Sequence, residues 1–185
     1  MDKPASSSGS LSKRSFPTPR QLGAGWRYSV DPGSAEEGYA GNGTPALARD
    51  PREVVRTAVP LGCARTRPMP TPRHALEVDY RLRGATVIAV RGRFDDSAQA
   101  RRFFAARAAN LTACAGRRGS IAIGPLVTRI STPAPQAIAN DRTPTSDAWR
   151  ELAIRDGDTV ALLAVQGRDP LSPSQTRGLV RLFRS

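Results

Sequence analysis

The sequence predicts an α+β fold: an antiparallel sheet built from hairpins, packed against one long and one or two short helices. Three stretches predict it. His74 to Phe94, HALEVDYRLRGATVIAVRGRF, alternates apolar and charged residues with the period of two of strands lying on a covered sheet face. DDSAQARRFFAARAANLTAC then carries apolar residues at helical spacing behind an acidic start. WRELAIRDGDTVALLAV places Asp156-Gly157, a strong hairpin signal, between two apolar runs.

The chain of 185 residues is long enough for one domain with a real core, expected over residues 21–185. Residues 1–20 read as a polar, Ser/Pro-rich, disordered leader. It could be the tether left by an export or lipid-anchor segment, or an ordinary cytoplasmic tail. GWRYSV, residues 25–30, is a short strand, and DPG after it is turn chemistry. The Gly-rich stretch 34–47 reads as a surface loop, in which Glu37 and Tyr39 are candidate ligand contacts.

Asp50-Pro51-Arg52-Glu53 is a helix start, with an N-cap Asp, Pro at the first helical position and Glu behind it. EVVRTAV continues that helix until Pro60 and Gly62 stop it. RTRPMPTPR, residues 65–73, is an extended basic connector into the central hairpin.

In that hairpin Leu76, Val78, Tyr80 and Leu82 occupy one face, and Glu77, Asp79, Arg81 and Arg83 the other. A three-residue loop, Arg83-Gly84-Ala85, sets Glu77 opposite Arg91 on the solvent side. A two-residue loop would instead drive Arg91 into the core, so the longer loop is expected. The helix that follows is expected to be capped by Asp96. Its apolar stripe holds Ala100, Phe103, Phe104, Leu111 and Cys114, with Arg107 in the middle. A charge there must find a partner, snorkel or face something polar. It is either a structural ion pair, with Asp141 or Glu37 as the preferred acid, or a ligand-facing group.

SIAIGPLVTRI is a strand interrupted at Gly124-Pro125. STPAPQAIANDRTPTSD, which contains Asp141, reads as a loop. Thr159 to Val165 is apolar on both faces and therefore central in the sheet, and a short helix from about Ser174 closes the chain.

Two cysteines, Cys63 and Cys114, at the ends of predicted elements suggest a disulfide, or else two buried thiols. The bond would stabilise the fold by about 4 kcal/mol in the chain-entropy model. Two cysteines and one histidine are too few for a zinc site. His74, at a strand start, is read as structural. No phosphate-binding loop, nucleophile elbow or His-Glu-x-x-His appears, so no catalytic residue, metal or cofactor is expected.

The net charge of +12 is almost all arginine, since Lys3 and Lys13 are the only lysines. It is spread over every segment and accompanied by few aromatics, which disfavours a nucleic-acid surface. A basic cytoplasmic nucleic-acid-binding protein is the alternative reading.

RGRFDDSAQARRFFAARAANLTACAG resembles the strand, acidic cap and Ala-rich helix ending in Cys of PknH-like sensor domains. Those are the extracellular portions of mycobacterial receptor kinases and related actinobacterial lipoproteins. The order downstream is similar too, so the resemblance spans about Glu77 to Phe183. It implies an exported, non-enzymatic, sensor-like α+β module, secreted or membrane-anchored, with a cleft between sheet and helices for an unidentified small or anionic ligand. Arg107, Glu37, Tyr39 and Asp141 are the candidate contacts.

Overall fold

The computed structural model describes residues 11–29, 45–59, 66–114, 122–127, 136–143, 148–167 and 171–184. Its strands are β1 (Arg27–Ser29), β2 (Ala46–Ala48), β3 (His74–Leu82), β4 (Ala85–Arg93), β5 (Ala122–Val127), β6 (Gln136–Thr143), β7 (Ala148–Asp156) and β8 (Thr159–Gly167). The helices are α1 (Pro19–Leu22), α2 (Pro51–Thr57), α3 (Ser97–Cys114) and α4 (Pro173–Leu182). The strands form one antiparallel sheet in the order β1-β3-β4-β8-β7-β6-β5, with β2 beside β1 on the β3 edge. The α+β expectation holds, and β8 is central.

α3 leaves β4 in mid-sheet and leads to the far edge, from which β5 to β8 return as a meander. It starts where expected: Asp96 Oδ1 accepts from Gln99 N at 2.7 Å. α2 is capped by Asp50, whose side chain accepts from Arg52 N. α4 opens with a capping box between Ser172 and Gln175.

Both sheet faces are covered. One transverse row, Val78, Ala89, Leu163, Leu152 and Ala139, belongs to a core closed by Val180 of α4, by Phe183 just after it, and by Leu11 and Phe16. Leu11 and Phe16 fall within the expected leader, yet both are buried, so the packed chain begins well before residue 20. Tyr80 Oη donates to the Pro17 carbonyl at 2.8 Å. His74 Nδ1 accepts from Leu11 N at 2.9 Å. Burial, then Arg93 and Arg73, lower the His74 pKa and keep that nitrogen an acceptor. The opposite face lies under α2 and α3, through Val54, Phe103, Phe104 and Leu111 among others.

The central hairpin differs from expectation. Leu82 pairs with Ala85 across a two-residue loop, Arg83-Gly84, so Glu77 lies opposite Val90 and Arg91 opposite Leu76. Gly84 takes φ +77°, which only glycine adopts without strain. Arg91 therefore does enter the core, where it is 2% exposed. The core accepts it because the end of α4 brings an acceptor: Arg91 Nη2 donates to the Phe183 carbonyl at 2.7 Å. The guanidinium also lies 5.7 Å from the centre of the Phe16 ring. Those partners come from the two ends of the chain, beyond the reach of hairpin reasoning.

Two further differences concern strands. β6 occupies the segment read as a loop, and β2 forms within the segment read as a surface loop. The break in β5 is as expected, a register shift between Ile123 and Leu126.

Candidate functional site

The charged face of β3 is the floor of a cavity. The row opposite the apolar one runs Asp79, Ile88, Ala164, Glu151 and Asn140 across β3, β4, β8, β7 and β6. The next row begins Glu77, Val90 and Leu162. α2 supplies Glu53, Val54 and Thr57 to the rim, the residue after it supplies Ala58, and α3 supplies Arg107. With Arg49 and Trp149 these residues enclose about 480 Å³, within the usual size range for small-molecule sites. Alternation had marked Glu77 and Asp79 as solvent-facing. Helices roof them instead, and Glu77 is 6% exposed.

Each guanidinium in the cavity has partners. Arg107 donates from Nε to the Ala58 carbonyl at 2.9 Å, and its Nη2 lies 3.5 Å from Glu151 Oε2. Asn140 Nδ2 holds the same carboxylate oxygen at 3.1 Å. Arg49 grips Glu77 with a two-pronged contact, Nε to Oε2 at 2.9 Å and Nη2 to Oε1. The lining sets four carboxylates, Glu53, Glu77, Asp79 and Glu151, against two arginines. Glu53 is paired as well, with Arg56 one turn along α2, so Asp79 is the lining carboxylate with no arginine contact among the described residues.

Asp79 is the exception to this pairing: its Oδ1 is buried and has no hydrogen-bond partner among the described residues. Burial first, and the neighbouring Glu77 second, push its carboxyl up to about 6 from the ordinary 3.8, with Arg49 pulling the other way. A carboxyl raised in the folded state favours folding most below its unfolded pKa. That advantage is lost as pH rises through the folded value. Asp79→Asn is therefore expected to raise Tm at pH 7.5 by about 2–4 °C, roughly 1 kcal/mol after allowance for solvent screening. The gain should vanish by pH 4. Thermal melts across that range check it, and an equal gain at pH 4 would contradict the cause given.

Of the expected contacts, Arg107 lines the cavity. Asp141 does not pair with it. It lies in the row Tyr80, Val87, Val165, Arg150, Asp141 on the α4 face of the sheet. There it forks onto Arg150, Nε to Oδ1 at 2.6 Å and Nη2 to Oδ2 at 2.8 Å. Arg150 also donates to the Leu171 carbonyl and to Thr176 of α4, so this group fastens α4 to the sheet. Glu37 and Tyr39 lie outside the described residues. So does Cys63, and its expected bond to Cys114 with it; Cys114 ends α3 and is not a free thiol.

Glu151, Asp79, Arg49, Glu53 and Trp149 were not singled out from the sequence. One signal for Glu151 was present: an acid beside the doubly apolar β8 must sit on a covered face and needs a partner. Asn110 of α3 is fully buried. Its Oδ1 accepts from Thr66 N and Arg67 N, pinning the basic connector to α3. Among the described residues no helix is long and apolar enough to cross a membrane, and no cluster of His, Cys, Asp or Glu could hold a metal.

No family model and no curated protein matches the chain. Among solved structures it is similar to the extracellular domain of PknH from Mycobacterium tuberculosis, at 10% identity and a TM-score of 0.49, over 94% of this chain and 92% of that one. That likeness is one of chain path, and it assigns no ligand and no activity.

Proposed function

We propose that this chain is a non-enzymatic, extracytoplasmic ligand-binding or sensor-like domain, and that the chamber beneath α2 and α3 is its binding site. One observation supports this above the others. A sheet face carrying ionisable groups is roofed by helices without being filled, leaving about 480 Å³ lined by both apolar and charged side chains. Filling such a space with apolar residues would stabilise the fold, so a chamber with a carboxylate oxygen that has no partner among the described residues fits a function better than a packing role.

A thermal-shift screen of small metabolites tests the site, comparing the native chain with Ala164→Leu, which fills the floor. A true ligand at about 100 times its Kd contributes roughly 2.7 kcal/mol, or about 5–10 °C in Tm. The shift should be lost in the filled variant. Equal shifts in both proteins would place binding elsewhere and defeat the proposal. The export reading carries the Cys63–Cys114 bond with it: thiol titration of unfolded, unreduced protein should find no free thiol.

A further inference from the structure

We infer that the chamber accepts a small organic cation, a protonated amine with an apolar body, whose N–H groups complete the hydrogen bonding of Asp79. This deepens the ligand-binding proposal and rests on it. Most charges in the chamber are already engaged. Arg49 is held by Glu77, and Arg107 by Glu151 and the Ala58 carbonyl, so neither is the obvious seat for an anion. Asp79 Oδ1 is buried and lacks a donor among the described residues. What the site lacks is a donor: Glu53 pairs with Arg56, Glu77 with Arg49 and Glu151 with Arg107, so Asp79 is the carboxylate that asks for a positive donor.

Shape and surroundings agree. Ile88, Val90 and Leu162 line the floor beside Asp79 and offer an apolar surface to a hydrocarbon body. Trp149 lines the same chamber and can present an aromatic face to a cation. A bare metal ion is a poorer fit, because hard cations need about six or more oxygen ligands and Glu77 and Glu151 are already held. The overall charge of +12 does not prevent entry. Arginines more than a Debye length away, about 8 Å at physiological ionic strength, are largely screened, whereas carboxylates in the chamber act at contact.

Calorimetric titration with phenethylamine, phenethyl alcohol and hydrocinnamate at pH 7.5 separates charge from shape. The amine should bind at least about ten times more tightly than the alcohol, and hydrocinnamate more weakly still. Asp79→Asn should remove that tenfold preference, and Ala164→Leu should abolish binding of both amine and alcohol. Independently of any variant, amine affinity of the native chain should fall as pH drops from 7.5 to 5. The amine stays protonated over that range while Asp79 takes up its proton; Glu53, Glu77 and Glu151 with Arg49 and Arg107 are the other ionisable groups facing the chamber.

Equal binding of amine and alcohol would overturn the inference, since charge would not be read. Tighter binding of hydrocinnamate, or binding of none of the three while the screen still finds a ligand blocked by Ala164→Leu, would overturn it and leave the ligand-binding proposal standing. If the screen is empty as well, both fall.

Discussion

Replacing Arg107 by methionine is expected to lower the stability of the fold by roughly 3–5 kcal/mol, or about 10 °C in Tm. Methionine keeps the apolar stem and most of the volume of the side chain, so packing against α3's neighbours changes little. What disappears is the cation beside Glu151 and the donor to the Ala58 carbonyl, both in a place where Arg107 is 3% exposed. A buried carboxylate deprived of its counter-charge accounts for most of the loss. The double variant Arg107→Met with Glu151→Gln should therefore recover more than half of it, because the neutral amide no longer needs a cation. Thermal or urea melts of the four proteins form a cycle that isolates the coupling. A single variant as stable as the native chain would show that Arg107 serves a ligand and not the fold.

Arg91→Ala should cost about 4 kcal/mol, by two routes of similar size. Truncating one of the largest fully buried side chains opens a cavity between the sheet, Phe16 and α4. It also leaves the Phe183 carbonyl at the end of α4 without the charged donor that reaches it at 2.7 Å. Arg91→Met retains most of the volume but not the hydrogen bond, and should cost about half as much. Equal losses for alanine and methionine would mean that the hydrogen bond, and not the packing, dominates. Hydrogen exchange in α4 should rise in both variants, since the arginine ties the last turn of that helix to the sheet.

These two arginines show why parts of the molecule were legible in one dimension and parts were not. Period-two alternation in β3 correctly grouped Leu76, Val78 and Tyr80 on one face and Glu77 and Asp79 on the other. It could not say what covers each face. Arg91 must stay in water only where the core has no acceptor to offer. The acceptor is Phe183, 92 residues further along the chain. Asp141 was chosen for Arg107 because its segment read as a loop free to fold back. Once that segment is strand β6, the alternating pleat sends Asp141 to Arg150 on the other face, and Glu151 of β7 takes the place beside Arg107.

Local chemistry was enough to determine the α+β class, the helix caps at Asp50 and Asp96, the break in β5 and the central position of β8, because each follows from a few neighbouring residues. Only the tertiary structure decided the hairpin register, the burial of Arg91 and the chamber under α2 and α3. Each of those depends on partners brought together from distant segments. A hydrogen bond or counter-ion supplied from across the fold can reverse the cost of burying a charge, and the pattern of a single strand carries no record of it.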